Sequence, residues 1–139
     1  MKRNITQGIL GALITGSALL LVIVGCNSST NPPPFSGPLE LLYPKGGSGQ
    51  SFQVGQPVQI KWSIHDKTQI GSVGIKYSLD NGKIWSTTPI GNGSLSFPDT
   101  TYSWVPTADQ ISNQFVLKVY EYQNEATINN KSVAFIVHQ

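Results

Sequence analysis

One short segment, Val58 to Ile64, alternates without exception between apolar and polar residues. A period of two places the apolar side chains on one face of an extended chain and the polar side chains on the other. Such a segment is typical of a half-buried strand in an antiparallel sheet. Because a one-sided strand must bury its apolar face against another layer, the segment constrains the chain to a layered β architecture.

Similar segments recur along the chain from Leu39 onward and are separated by glycine- and proline-rich turns. The further predicted strands are Leu39 to Tyr43, Ser51 to Val54, Val73 to Ser78, Ile84 to Thr88, Tyr102 to Val105, Phe115 to Tyr122 and Ser132 to Val137. The predicted turns include 89–93, and one short helical turn is predicted within 107–114. This spacing predicts an all-β domain over residues 39–139: a single immunoglobulin-like or fibronectin type III-like antiparallel β-sandwich of seven to eight strands.

The first 26 residues have the three-part pattern of a secretory signal: two cations, a long apolar stretch and a small residue at the end. The closing "IVGC" resembles the lipobox of bacterial lipoproteins, and Cys26 is the only cysteine. That resemblance implies a signal peptide over residues 1–25, lipidation of Cys26 and a membrane anchor of two or three acyl chains. It places the domain outside the cytoplasm in the cell envelope, on the outer membrane if the host is diderm, because Asn27 is not aspartate. An uncleaved membrane helix of about 20 residues, or an incidental cysteine, is the alternative.

Residues 26–38 follow the apolar stretch and carry no charged side chain. Three consecutive prolines, at 32–34, favour the extended polyproline II conformation. We expect a semi-rigid tether that holds the domain away from the membrane.

The charge of the domain argues against nucleic-acid binding. Two of the nine cationic residues, Lys2 and Arg3, lie in the leader, so seven lysines face seven acids in the remaining chain. Arg3 is the only arginine. The mature domain thus lacks the basic surface and the guanidinium groups that bind phosphates and bases.

Several spaced motifs resemble one family of surface domains. They are a "G-x-x-V-x-I-x-W" segment from Gly55, "YS-x-D-x-G-x-x-W" from Tyr77, "Y-x-W-x-P" from Tyr102, and the closing "F-x-V" from Phe135. Together they resemble the Ser/Thr-rich glycosylphosphatidylinositol-anchored membrane family domain, over residues 39–137. The resemblance implies an extracellular β-sandwich associated with cell surfaces or walls, with no established catalytic residues.

Ser78, Asp80, Gly82 and Trp85 match every fixed position of an Asp box, "S/T-x-D-x-G-x-x-W/F". In the proteins that the motif resembles, it stabilises a hairpin away from the active site. Asn81 and Gly82 tolerate positive φ, and the Asp80 carboxylate can accept turn N–H groups. We therefore expect a structural hairpin, with Trp85 packing back over it. A single copy excludes a propeller of repeated blades.

Tyr120 and Tyr122 are candidate ligand-binding residues. They fall on the face of their predicted strand opposite Phe115, Leu117 and Val119. On a solvated sheet face they would form an aromatic pair able to stack on sugar rings or anchor a protein partner. The alternative is that Tyr120 packs against a neighbouring strand.

The remaining chain offers no arrangement of catalytic residues. His65 and His138 have no metal-ligand spacing, and the seven acids are scattered. The alternative is calcium bound by residues 79–82 with Asp66 or Asp99. We therefore expect no enzyme activity, cofactor or bound metal. The expected function is a lipid-anchored, non-catalytic module that binds polysaccharide, cell-wall material or a protein partner. The alternative is a structural subunit of a surface assembly with no ligand of its own.

Overall fold

The computed structural model of the chain describes residues 37–96 and 98–139. The predicted signal peptide, Cys26 and the tether up to residue 36 lie outside the described residues. Within the described part, no helix has both the length and the apolar character needed to span a membrane.

The described residues form nine strands and one 3₁₀ turn, Ala108–Gln110. The strands are β1 (Leu39–Tyr43), β2 (Ser51–Gln53), β3 (Val58–Ile64), β4 (Ser72–Ser78), β5 (Ile90–Ser96), β6 (Thr101–Trp104), β7 (Ser112–Glu121), β8 (Asn129–Lys131) and β9 (Phe135–His138). The all-β prediction is confirmed. The number of strands exceeds the predicted seven to eight because the last part of the chain forms two short strands, β8 and β9.

The strands form two sheets that pack as a sandwich. The smaller sheet has the order β1-β3-β6, and the larger has the order β2-β9-β7-β4-β5, with β8 also paired to β7. All pairs are antiparallel except β2 with β9. The chain thus places β1 and β2, which are close in sequence, in different sheets.

The core lies between the sheets, where both contribute the apolar side chains that the alternation predicted. From the smaller sheet, Ile60 and Trp62 are buried, and from the larger sheet Phe115, Leu117 and Val119 are fully buried. Aromatic rings form its centre: the Phe115 ring lies 5.1 Å from both Trp104 and Phe135 and stacks on Tyr77 at 5.4 Å. Contacts of this kind add to the stabilisation from buried apolar area.

The predicted strand Ile84 to Thr88 is wrong, as is the predicted turn at 89–93. The strand lies instead at Ile90–Ser96, within a glycine-rich sequence that looks like a turn. Gly91 and Gly93 have φ of 81° and 111°, and the register with β4 shifts between Gly74 and Ile75. The glycines thus serve a bulged edge strand rather than a turn.

The two sides of the sandwich differ. On one side, the Leu41 N–H donates a 2.9 Å hydrogen bond to Asn130 Oδ1, which joins β1 to β8 across the sheets. On the other side lie the edge strands β5 and β6, and no strand pairing connects them in the described part of the chain. The sandwich is therefore open along the β5–β6 side.

Candidate functional site

Asp80 follows the end of β4, and one oxygen of its carboxylate gathers three donors. The Ser78 hydroxyl donates to Asp80 Oδ1 at 2.6 Å, and the Lys83 and Ile84 N–H groups donate to the same oxygen at 3.0 and 2.9 Å. The Ser78 hydroxyl also accepts the Gly82 N–H at 2.9 Å. These bonds give the turn amides their partners, which supports the structural role predicted for the Asp-box residues.

The same bonds favour the ionised form of the carboxyl. The hydrogen bond from the Ile84 N–H, followed by that from the Ser78 hydroxyl, lowers the pKa of Asp80 below its ordinary value.

The turn has the predicted backbone conformation but does not join two adjacent strand ends. Asn81 and Gly82 both have positive φ, 63° and 84°. However, β4 ends at Ser78 and β5 begins at Ile90, so residues 79–89 form a longer connection. The Ser86 N–H donates to the Tyr77 carbonyl at 2.8 Å, which ties this connection to β4 at a second point after the Asp80 turn.

Trp85 covers the outer face of the larger sheet rather than only its own turn. The Lys118 Nζ atom lies 4.0 Å from the centroid of the Trp85 ring, a cation–π contact. Lys118 belongs to β7 and its side chain is 9% exposed. The 79–89 connection is therefore anchored to the sheet through an aromatic ring and a lysine.

Of the two candidate tyrosines, Tyr122 is exposed, whereas Tyr120 packs against the neighbouring strand, the alternative that the sequence left open. The two rings share the outer face and stack at 6.3 Å, but Tyr120 is 3% exposed whereas Tyr122 is 46% exposed. Tyr120 lies across the backbone of Gly74, its partner on β4. Because Gly74 has no side chain, the ring fills the space above the strand. A ligand-binding role for Tyr122 stays a prediction, whereas the buried Tyr120 cannot offer its ring to a ligand.

An ion cluster surrounds the Tyr120 ring. Glu125 accepts hydrogen bonds of 2.6 Å from both Lys76 and Lys118. Burial alone would raise the pKa of Glu125, but the bonds from Lys118 and Lys76 outweigh it and hold the pKa below its ordinary value. Burial, together with the charges of Glu125 and Tyr122, raises the pKa of Tyr120 to about 12. Glu125 thus pairs with both lysines on a largely covered face.

A cavity of about 330 Å³ lies beside the 79–89 connection, which contains the Asp-box turn. Its apolar lining includes Trp85 and two exposed side chains, Leu79 at 39% and Ile84 at 75% exposure. It adjoins the turn that Ser78 and Asp80 hold.

A larger cleft, about 550 Å³, lies along the open β5–β6 side. Its lining combines aromatic side chains with hydroxyl, amide and carboxylate groups. The lining includes Thr88, Gly91, Tyr102, Thr107, Asp109 and Gln110. Sequence reasoning missed this cleft because its walls come from segments that only the strand order brings together. The one available signal was Tyr102, which alternation places on the inner face of what proves to be an edge strand.

The other candidate groups lie apart from both cavities. His65 Nε2 is 3.2 Å from Glu40 Oε2 on the exposed surface, and neither residue lines either cavity. Asp66 accepts hydrogen bonds from Thr68 and Gln69 in its own loop. Over residues 37–96 and 98–139, no three His, Cys, Asp or Glu side chains converge as a metal site would require.

In comparisons with known proteins, no family model matches this chain, and no curated protein or solved structure is significantly similar to it. The lipoprotein and family assignments made from sequence motifs stay predictions.

Proposed function

We propose that the protein is anchored in the cell envelope by lipid on Cys26 and that its domain is a non-catalytic binding module. Its ligand is a polysaccharide or a protein of the envelope. The lipobox-like "IVGC" and the single cysteine support the anchor. The β1-β3-β6 and β9-β7-β4-β5 strand orders support an immunoglobulin-like assignment, as the family resemblance implies.

The observation that carries the binding role is the cleft on the open β5–β6 side. Its volume, about 550 Å³, lies within the range of roughly 300–1,000 Å³ found for ligand sites. Its lining exposes polar and apolar surface in similar amounts, and the apolar part includes the rings of Tyr77, Tyr102 and Trp104. The outer face of the larger sheet leaves less surface accessible to a ligand, because Trp85 and the ion cluster cover much of it.

Site-specific photocrosslinking tests this role in the full-length chain. Thr88 lines the cleft and Thr87, its neighbour, does not, although both are exposed. A photoreactive residue at position 88 should yield an adduct with envelope material in the cells that make the protein, and the same residue at position 87 should not. Equal adducts at both positions, or none at either, would contradict the cleft as the binding surface.

The anchor is tested separately with the variant Cys26→Ser. Metabolic labelling with a fatty-acid probe should mark the wild-type chain and not the variant, and the variant should leave the membrane fraction or stall as a precursor. Unchanged labelling and membrane retention would exclude lipidation at Cys26.

A structural role in a surface assembly is the second candidate, and the free edge of β6 favours it. β6 ends the smaller sheet and pairs with β3 without a register shift, whereas the opposite edge strand, β5, is bulged. A regular edge can accept a further strand. Thr101 lies on β6, is exposed and does not line the cleft. A discrete protein adduct from a photoreactive residue at Thr101, with none at position 88, would favour this role over ligand binding.

A further inference from the structure

We propose that the β5–β6 cleft binds neutral sugar units of a polysaccharide, with Tyr102 as the stacking surface and Asp109 and Gln110 as partners for sugar hydroxyl groups. This inference rests on the proposed binding function and specifies its ligand.

Tyr102 supplies the aromatic surface. It lies on the inner face of β6, opposite Ile60 of β3, and is only half-buried because β6 is an edge strand. Its ring rests against Gly91 of β5, where an ideal Cβ atom would come within 2.8 Å of the ring. Gly91 also has a φ of 81°, so a side chain is doubly disfavoured there. Because position 91 is glycine, the Tyr102 ring can lie across the cleft between β5 and β6. The apolar face of the ring can stack on the C–H face of a sugar, and its hydroxyl group can bond to a sugar hydroxyl.

Gln110 supplies a fixed amide. It is 7% exposed, and its Oε1 atom accepts hydrogen bonds of 3.1 Å from both the Trp104 indole N–H and the Thr107 backbone N–H. Two donors on one oxygen determine which way the amide points. Within the described part of the chain, no acceptor is bonded to Gln110 Nε2. This NH₂ group is therefore available to donate to a sugar oxygen, held in place before any ligand arrives.

Asp109 determines the charge that the cleft prefers. It is exposed next to Gln110, and no lysine, arginine or histidine is among the described residues that line the cleft. A carboxylate accepts hydrogen bonds from hydroxyl groups and repels carboxylates and phosphates. The lining thus favours a neutral, hydroxyl-rich ligand over a uronic acid or a phosphorylated one.

The same composition separates a polysaccharide from the other ligand classes. An apolar ligand would make no hydrogen bond to the exposed Asp109 carboxylate and would cover the Gln110 NH₂ group without giving it an acceptor, which carries a desolvation penalty. A sugar unit offers both an apolar C–H face and several hydroxyl groups, so it can satisfy Tyr102 and the two polar groups at once. A protein partner is the competing occupant, and it would not be displayed by retardation in polysaccharide gels.

The test is affinity electrophoresis of the full-length protein in detergent, through gels containing one soluble polysaccharide each. The neutral probes are hydroxyethylcellulose, glucomannan and xylan, and the charged probe is polygalacturonate. We expect at least one neutral polysaccharide to retard the protein and polygalacturonate not to do so. Tyr102→Ala should weaken that retardation about tenfold or more, as truncating a central aromatic contact does.

Two further variants change exposed residues of the cleft, so that a loss of binding in them cannot be attributed to misfolding. Asp109→Asn preserves the shape of an exposed side chain, and Thr88→Arg narrows the cleft from an exposed position; each should weaken retardation while thermal unfolding stays unchanged. Tyr122→Ala is the matched control, since it removes an exposed tyrosine outside the cleft and should leave retardation intact.

The opposite results separate the two proposals. Retardation by a neutral polysaccharide that survives Asp109→Asn and Thr88→Arg but is lost in Tyr122→Ala would overturn the cleft as the sugar site and retain a binding module. Retardation by polygalacturonate alone would overturn the preference for neutral sugars. No retardation by any polysaccharide, together with a protein adduct from position 88, would overturn the sugar inference and leave the proposed binding function in place.

Discussion

Gly74 and Tyr120 form a cross-strand pair whose fit gives a sharp prediction about stability. They face each other in the β4–β7 register, and the tyrosine ring lies over the glycine. An ideal Cβ atom at Gly74 would lie 2.3 Å from Tyr120 Cζ and 2.5 Å from its hydroxyl oxygen. These separations are far below van der Waals contact, so Gly74→Ala requires the ring to move.

The magnitude follows from how firmly the ring is held. Tyr120 is 3% exposed and stacks on Tyr122, so displacing it disturbs packed neighbours. Overpacking of this kind destabilises a fold by about 1–3 kcal/mol. Replacing a glycine by alanine raises the free energy of unfolding by about 0.4–1 kcal/mol, because the unfolded chain loses conformational entropy. We therefore expect Gly74→Ala to lower the free energy of unfolding by about 1–2 kcal/mol.

Urea unfolding followed by tryptophan fluorescence measures this loss, and Gly71→Ala is the matched control. Gly71 lies just before β4, and the nearest atom to its ideal Cβ is Glu121 Oε1 at an ordinary 3.7 Å. Its alanine variant should be as stable as the wild type, or slightly more stable.

A double-mutant cycle isolates the clash. Tyr120→Leu removes the ring atoms that the new methyl group meets, so the double variant should be more stable than the sum of the two single changes predicts, by about 1 kcal/mol or more. Equal stability of the Gly74 and Gly71 variants, or strict additivity in the cycle, would refute the close fit.

Three further predictions concern the ionised groups. Asp80→Ala should lower the thermal unfolding midpoint at neutral pH, because the turn amides lose their acceptor. Asp99→Ala is the control and should leave the midpoint unchanged, since the Asp99 carboxylate accepts no hydrogen bond from the described residues. Equal shifts in the two variants would contradict the turn role of Asp80. Glu125 has a lowered folded-state pKa, so its contribution is present above its ordinary pKa and lost as the pH falls through the folded value. The midpoint difference between wild type and Glu125→Gln should thus disappear in acid, and a constant difference would refute the ion cluster. Tyr120 has a pKa raised to about 12, so stability should fall as the pH rises from the ordinary tyrosine value toward 12. Phenolate absorbance should show a late step that Tyr120→Phe removes.

The strands that could be predicted are those in which one face meets the core and the other meets water. β1 and β3 have the predicted bounds, because their apolar period is set by one-sided burial. β5 was missed because Gly91 and Gly93 serve a bulge, and glycine in a strand carries the same local signal as glycine in a turn.

The sequence could not decide between exposure and burial of Tyr120, for a different reason. The period of two separates Phe115, Leu117 and Val119 from the other face of β7 correctly, but it does not show what covers that other face. Lys118 and Tyr120 are buried there: Lys118 lies against the Trp85 ring and donates to Glu125, and Tyr120 stacks on Tyr122. Burial by connections depends on tertiary placement, which one strand's pattern does not contain.

The Asp-box connection has two separable parts, and this decides how its variants should be interpreted. The first part is the turn that Asp80 holds, and the second leads through Thr88 into β5 and forms a wall of the cleft. Between them, the Ser86 N–H is bonded to the Tyr77 carbonyl, and Ile90 pairs with Ile75 of β4. The cleft wall is therefore fixed independently of the Asp80 turn. It follows that Asp80→Ala should reduce stability while leaving polysaccharide retardation of the folded protein unchanged. Thr88→Arg should leave stability unchanged and weaken the retardation. Loss of retardation in Asp80→Ala at full folding would mean that the turn, and not only the β5 ladder, positions the cleft.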